Sequence, residues 1–246
     1  DRVGLVPADA RSVLRRLADG TDGPSLSAHL AEHPVPGHLR EFAVHRSAYQ
    51  QKEADPHSWA LPRLSGRAKS ALVEIQSDEY GRGVPGEAHA ELWATTMEEL
   101  GLDPTYGRYT DLLPGTTLAT GNLIGLFGLQ RRLLPALIGH LALFEMTSTG
   151  PMSRYSRAFG EIGVGPRGRR FFDVHVVADA HHEVIALTEL VDGYLEDHPT
   201  AGREISFGAL ALAEVEATFS ERLLAAFRAG RSSLRSPLRA EAASAA

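Results

Sequence analysis

Residues 171–183, Phe-Phe-Asp-Val-His-Val-Val-Ala-Asp-Ala-His-His-Glu, decide how the rest of this sequence is interpreted. If this stretch is helical, His175, Asp179 and His182 stand at positions i, i+4 and i+7 and share one face. Two imidazoles and a carboxylate on one stripe are ligand types that suit non-haem iron, manganese or zinc. The alternative is a helix with a few buried, hydrogen-bonded histidines and an exposed acidic edge. The stretch alone does not separate these two interpretations.

Helical periodicity extends outward from this stretch over most of the chain. Apolar residues recur at helical spacing, and Gly or Pro separates one segment from the next. The predicted helices cover residues 8–19, 25–32, 37–53, 66–80, 87–100, 116–149 (two helices or one kinked helix), 153–160, 168–190 and 202–230. Neither the alternation of strands nor an internal repeat is present. At 246 residues, the sequence predicts an all-α protein with one large domain.

Composition excludes several classes of function. The net charge is −6 and the basic residues are scattered, so we expect no nucleic-acid partner. The chain has no cysteine, which excludes disulfides, zinc–thiolate sites, iron–sulfur clusters and a cysteine nucleophile.

The N-terminal segment bears on where the protein is expected to reside. Residues 1–20 are charged and amphipathic and lack the apolar core of a signal peptide. No run of about 18 apolar residues occurs, so we expect no membrane span. We therefore expect a cytoplasmic protein. Because the chain starts at Asp1 rather than Met, we also expect that preceding residues are missing from this sequence.

One carboxylate stands where burial is costly. Glu145 lies within the apolar run 141–146, Leu-Ala-Leu-Phe-Glu-Met. A carboxylate there carries a large desolvation cost unless a cation meets it, and a metal ion is such a partner. The alternative places Glu145 at a helix edge, where it reaches solvent or an arginine.

Two further candidates depend on how the chain turns. Glu79 and His89 are ten residues apart, which on a continuous helix would leave them about 80° apart. The glycines and Pro85 between them predict a loop that could bring both to one side, although a solvated Glu79 and an incidental His89 are the alternative. Glu41 and Glu53 lie about 120° apart on one predicted helix, so only one of them should face inward.

Together the candidates are glutamates, histidines and one aspartate, namely Glu53, Glu79, His89, Glu145, His175, Asp179 and His182. This inventory suits two iron ions that share bridging carboxylates inside a helical bundle. A ferritin-like site needs two Glu-x-x-His elements, and this sequence has none. The order and spacing instead resemble the haem-oxygenase-like diiron oxidase and oxygenase family over residues 37–230. Segments 71–81 and 144–148 also look like actinobacterial members of that family.

The resemblance implies a fold and a set of ligands. It implies a haem-oxygenase-like helical bundle of about seven core helices over residues 37–230. Residues 1–36 would be a helical extension packed on this core, and residues 231–246 a flexible tail. One iron would be held by Glu53, His89 and His182, and the other by Glu145, His175 and Asp179. Glu79 would bridge the two ions or be shared between them, and no catalytic residue beyond the ligands is implied.

The resemblance also implies a reaction. Diiron(II) would reduce O2 to a peroxo-diiron(III) species, which transfers oxygen to an amine nitrogen or abstracts hydrogen from an unactivated carbon. The substrate would be a small amine or a free amino acid, and the outcome N-oxygenation, desaturation, C–C cleavage or ring closure. An external electron donor and a role in natural product biosynthesis are implied as well. A homodimer could form through the C-terminal helix.

Three alternatives remain open at this stage. The first is oxidative decarboxylation of a medium-chain fatty acid to a terminal alkene, for which residues 118–129 could line an apolar pocket. An inward arginine with an acidic partner would instead favour an amino acid, and the candidates are Arg131, Arg132, Arg154 and Arg157. The second is a catalytically silent helical metal-binding protein. The third is haem oxygenase itself, which would leave Glu145 and Asp179 without a role.

Overall fold

The computed structural model describes residue 6, residues 8–20 and residues 25–238. No strand occurs within these ranges, and the predicted all-α class is confirmed. The α-helices are α1 (Ala10–Ala18), α2 (Leu26–Glu32), α3 (Pro36–Gln50), α4 (Asp55–Ser58), α5 (Gly66–Glu79), α6 (His89–Glu99), α7 (Gly115–Leu129), α8 (Leu134–Glu161), α9 (Pro166–Ile185), α10 (Asp192–Asp197) and α11 (Gly202–Arg228). A π-helical segment, Ala186–Val191, connects α9 to α10.

Helix α8 is the centre of the bundle and packs against α9, α11, α1 and α2. Nearly every residue in its first three turns is buried, because the sequence there is apolar on all sides. Its crossing with α11 brings the two backbones together at Gly139 and Gly208. A methyl group on Gly139 would overlap the carbonyl oxygen of Ile205, and one on Gly208 would overlap that of Ala136. The absence of two side chains therefore sets this close packing.

Helices α8 and α9 form an antiparallel hairpin around the turn at residues 162–165. Tyr155 on α8 lies opposite Phe172 on α9, with 6.1 Å between ring centroids, and Glu145 lies opposite His182. The apolar residues of α8 divide between two clusters. Those up to Met146 pack in one cluster, which also contains Ile185 of α9, and those from Met152 onward pack in the other. The central parts of both helices thus lie between two apolar clusters, and that is where the polar side chains converge.

The structure differs from the predicted segments in three places. Helix α8 runs through Pro151 to Glu161, although the sequence predicted a separate helix from residue 153. A proline costs one backbone hydrogen bond, and the burial of Met152 and Tyr155 on the continuing helix offsets that cost. Helix α3 ends at Gln50, so Glu53 lies in a turn rather than in the helix.

The third difference concerns the predicted flexible tail at residues 231–246. Residues 231–238 pack on the bundle: Leu234 is buried, and the backbone N–H and hydroxyl of Ser233 both donate to Glu41 at 2.7 Å. Residues 239–246 lie outside the described residues. In the parts that are described, no helix is both long enough and apolar enough to cross a membrane.

Candidate metal centre

The central part of α9 presents the stripe that the sequence predicted. His175, Asp179 and His182 are all buried, with at most 2% of each residue exposed, whereas the neighbouring His181 is exposed. The i, i+4, i+7 spacing places the three on the inner face because 3.6 residues complete one turn. The Nδ1 atom of His175 donates to the carbonyl oxygen of Phe171 at 2.6 Å, so Nε2 is the nitrogen that faces the other candidates.

Glu145 and Glu53 reach the same space from two other elements. Glu145 is buried on α8, and its Oε2 lies 3.2 Å from Nδ1 of His182. Glu53 follows α3 in a turn, and the next residue, Ala54, has a positive φ of 78°. The turn directs Glu53 inward, with its Oε2 3.6 Å from Nε2 of His175. Glu41 bonds to Ser233 instead, so Glu53 is the one of the two that joins this cluster.

Glu79 and His89 meet because the chain reverses between them, as the glycines predicted. Gly81 and Arg82 both have positive φ, and a side chain on Gly81 would overlap the backbone of Glu87. The Glu91 carboxylate accepts from the backbone N–H of Ala88 just before α6 begins, which places His89 at the first turn. The Nδ1 atom of His89 lies 2.7 Å from Oε2 of Glu79.

All seven candidates therefore meet in one buried cluster. Within it, two sets each offer ligand atoms that lie within 4.8 Å of one another, namely Glu53, Glu79, His89 and His175, and Glu79, Glu145, Asp179 and His182. Glu79 belongs to both sets, in agreement with its expected bridging position. The role of each residue as a ligand stays a prediction.

The pairing of histidines with carboxylates corrects the expectation from the sequence. His175 was expected with Glu145 and His182 with Glu53, whereas His175 stands with Glu53 and His182 with Glu145. The cause is the antiparallel hairpin of α8 and α9. His182 is about as far from the turn as Glu145, so the two lie at the same level, while His175 is two turns nearer the turn.

The donor set fits metal ions. Five buried polar atoms in the cluster form no hydrogen bond of good geometry, namely Glu53 Oε2, Glu79 Oε2, His89 Nδ1 and both carboxylate oxygens of Asp179, although His89 Nδ1 and Glu79 Oε2 lie 2.7 Å apart. Buried polar atoms are nearly always paired, so several orphaned donors aimed at one space indicate a missing cationic partner. A cavity of about 10 Å³, close to one water-sized sphere, lies among Glu53, Glu79, Glu145, His175 and Asp179.

The electrostatics of the cluster support the same conclusion. Burial raises the pKa of Glu53, Glu79 and Glu145, and it raises that of Asp179 to about 8. For His182, burial lowers the pKa, but the hydrogen bonds and negative charges of Glu145, Glu79 and Asp78 together outweigh burial and bring the pKa to about 9. Burial lowers the pKa of His89 to about 4. A bound divalent cation would favour ionised carboxylates and neutral imidazoles at this site.

The sequence did not single out several residues that contact the cluster. Asp78 Oδ2 lies 3.2 Å from Nε2 of His182 and orients that ring. Tyr49, His57 and Ser148 line the small cavity, and His57 Nε2 lies 3.2 Å from His140 Nδ1. Both His57 and His140 are buried. Only Asp78 carried a signal in the sequence, because it is adjacent to Glu79.

A second, larger cavity adjoins the small one. It has a volume of about 610 Å³ and shares Phe144 and Ser148 with the small cavity. The arginine that lines it, Arg46, is partly buried. Neither the four arginines proposed from the sequence nor residues 118–129 line either of these two cavities.

Fold and cluster define a class of protein: an all-α bundle with a buried centre of carboxylates and imidazoles suited to iron. A family model described as iron-containing redox enzyme matches residues 40–217, well over half of the chain. The chain belongs to this family, so the protein is an iron oxidoreductase. The resemblance identified from the sequence and the expected haem-oxygenase-like all-α fold are both confirmed.

One curated relative is the nitrosourea synthase of Streptomyces achromogenes subsp. streptozoticus. It is 25% identical over 146 residues, which is 59% of this chain and 31% of the relative. The chain thus matches less than a third of that protein's length.

Proposed function

We propose that this protein is an O2-dependent non-haem diiron oxidase or oxygenase that acts on a small amine or a free amino acid. The observation that carries the proposal is the pair of buried donor sets joined by Glu79. Each set offers carboxylate oxygens and at least one imidazole nitrogen, which suits iron. A carboxylate common to both sets would hold two ions close together, as in other helical di-iron carboxylate proteins.

When bound, two ferrous ions would supply electrons for the reduction of O2, and an external reductant would restore them. The chain itself contributes charge and orientation. Four buried carboxylates offset the positive charge of the metal ions, which neutral imidazoles alone could not do. Phe171 and Asp78 hold the non-ligating nitrogens of His175 and His182, so each ring presents its other nitrogen to the cluster.

The walls of the small cavity restrict access to the cluster. Leu141, Phe144 and Tyr49 line it together with the candidate ligands, and its small volume leaves little room for bulk water. Exclusion of water protects a reactive oxidant from side reactions and strengthens the electrostatic interactions inside the site. The ring of Tyr49 packs edge-on to Phe144 at 5.4 Å, which fixes both walls.

The proposed class of substrate has two supports. The similar protein is named a nitrosourea synthase, and a nitrosourea contains an oxidised nitrogen, which favours nitrogen-containing substrates for this chain. The larger cavity is lined by Arg46 and by three glutamates, Glu214, Glu216 and Glu221, whereas a fatty-acid pocket would need a continuous apolar wall. The outcome that we propose is oxygen transfer to nitrogen or abstraction of hydrogen from carbon.

Anaerobic titration with ferrous iron tests the proposal. We expect saturation near two irons per chain, and O2 consumption that depends on both iron and an amine or amino acid. Replacement of His175 or Glu145 by Ala should abolish turnover in a protein that remains helical by circular dichroism. His181→Ala is the matched control, because this exposed neighbour of His182 points away from the cluster. Saturation at one iron or none, or unchanged turnover in either variant, would refute the proposed centre.

A further inference from the structure

The larger cavity has a polar interior close to the metal cluster. Helix α3 contributes Arg46 and Gln50 to it, which lie one turn apart on the same face. Glu53, a candidate ligand, follows only three residues after Gln50. Helix α8 contributes Phe144 and Ser148, which also line the small cavity. The two cavities are therefore neighbours along the course of both helices.

An ion pair between Arg46 and Glu216 lies in the wall of this cavity. The guanidinium donates through Nη1 to Oε1 at 2.9 Å and through Nη2 to Oε2 at 2.7 Å. The two side chains are 16% and 27% exposed, so water screens them little. The guanidinium also lies over the ring of Phe219 at 4.4 Å, which fixes its plane. A fixed guanidinium is well suited to a carboxylate, and a fixed carboxylate to an ammonium group.

Gln50 adds an independent indication of a ligand. The residue is 4% exposed and lines the cavity, yet its Oε1 has no hydrogen-bond partner. An unsatisfied amide oxygen in a buried wall costs free energy unless a donor meets it. Gln50 stands between Arg46 and Glu53 in the sequence, and its amide oxygen would accept from an N–H or O–H group of a ligand in this cavity.

We propose that this cavity is the substrate site and that it binds the head group of an α-amino acid, with the carboxylate on Arg46 and the ammonium on Glu216. The inference rests on the proposed function, since it identifies the substrate site of the same centre. The ligand would share the guanidinium with Glu216, which accepts from two of its five N–H donors, and with the Tyr155 hydroxyl. Arg46 and Glu216 do not line the small cavity, whereas Phe144 and Ser148 line both. The side chain of the amino acid therefore points toward the metal cluster, and oxidation falls on the side chain rather than on the α-amino group.

Calorimetric titration of the iron-loaded protein without O2 tests the site, because binding is then measured without turnover. The probes are three matched triplets, each an α-amino acid, the amine without the carboxylate and the acid without the α-amino group. They are L-lysine, cadaverine and 6-aminohexanoate; L-norleucine, pentylamine and hexanoate; and L-phenylalanine, phenethylamine and 3-phenylpropanoate. We expect that within at least one triplet the amino acid binds tightest.

Two variants assign the roles. Arg46→Gln should weaken binding of the amino acid about 10- to 100-fold and change binding of the amine less than about threefold. Glu216→Gln should weaken binding of the amino acid and of the amine, which both carry this ammonium group, more than binding of the acid, which lacks it. Arg67→Gln is the matched control, since Arg67 pairs with Glu189 at the surface. If Arg46→Gln does not fold, Arg46→Lys keeps the charge but loses the planar fork, and the same selectivity should fall.

Several outcomes would overturn the site. These are no binding in any triplet, or the same preference for the amino acid in Arg46→Gln and Arg46→Lys as in the parent protein. A failure of the proposed function looks different. Selective binding of the amino acid with no O2 consumption on exposure to air would keep the head-group site and refute the oxidase. Consumption of O2 with selectivity unaffected by Arg46 would refute the head-group site alone.

Discussion

Two pairs of buried histidines, His175 with His182 and His57 with His140, lie in this bundle, and their pKa values shift in opposite directions. In the metal cluster, His175 and His182 are surrounded by carboxylates, and the pKa of each is raised. In the neighbouring pair, His57 and His140 bond to each other at 3.2 Å, and burial lowers the pKa of both, that of His140 to about 4. Among the described residues, no carboxylate oxygen forms an ion pair within 4.0 Å of either ring of this pair.

The difference shows that burial alone does not make a histidine a metal ligand. His57 and His140 satisfy each other as one donor and one acceptor, which requires neutral rings. The cluster instead contains five buried atoms that form no hydrogen bond of good geometry, and it concentrates negative charge that burial penalises. The cation site is indicated by buried carboxylate oxygens that outnumber the hydrogen-bond donors around them, rather than by the presence of imidazole.

The largest expected effect follows removal of the carboxylate common to both donor sets. Glu79→Gln should lower bound iron from about two per chain to less than one and abolish O2 consumption, because both sets lose an anionic ligand. Iron content by inductively coupled plasma mass spectrometry checks this result. Glu74→Gln, on the exposed face of the same helix, is the control and should keep both irons. Retention of two irons by Glu79→Gln would contradict the bridging position.

The next effect concerns stability and pH in the metal-free protein. The pKa of Asp179 is about 8 in the folded state against 3.8 ordinarily, so the folded state holds a proton that the unfolded state releases. The stability that this proton gives is present below pH 3.8 and is lost as pH rises through 8. We expect the free energy of unfolding in urea to fall by about 2–5 kcal/mol between pH 4 and pH 8.

The variant Asp179→Asn should flatten that decline, and Glu183→Gln, exposed near the end of the same helix, should not. Saturating iron should also remove the decline, since the metal binds the ionised form. An equally steep decline in Asp179→Asn would show that the carboxylate does not titrate in the cluster.

The smallest effect is expected in the histidine pair, with the opposite dependence on pH. His140→Gln should keep two irons per chain and lower the free energy of unfolding by about 1–2 kcal/mol, because a buried ring nitrogen of His57 loses its partner. The folded pKa of His140 is lowered, so the stability that this residue gives is present above its ordinary value of 6.5 and lost as pH falls toward 4.

Urea unfolding at pH 5 and pH 7 therefore separates the two groups. The parent protein should gain from His140 over this interval, while Asp179 acts in the other direction. Loss of one iron in His140→Gln would show instead that His57 and His140 contribute to metal binding.

The sequence predicted the parts of the site that depend on local periodicity. The stripe on α9 follows from 3.6 residues per turn, and the meeting of Glu79 with His89 follows from the glycines between them. Burial of Glu145 follows from the apolar run around it. The end of α3 was not predicted, because the turn at Ala54 requires a positive φ that no glycine or asparagine announces.

The remaining parts depend on contacts between distant elements. The wrong partners for His175 and His182 came from treating each helix alone, although the short turn between α8 and α9 already indicates an antiparallel hairpin and its register. The pair of Arg46 and Glu216 joins residues 170 positions apart, and no local pattern connects them. The spacing of residues along one helix predicts which side of that helix each side chain occupies. It does not predict which residue of another helix lies opposite.

The close approach of α8 and α11 at Gly139 and Gly208 bears on the width of the proposed substrate site. Helix α11 contributes Glu216 to the larger cavity and α8 contributes Phe144, and the two backbones come together at these glycines. An alanine at either position would push the two helices apart there and widen the larger cavity between them. The width of the proposed substrate site would thus depend on two positions that line neither cavity.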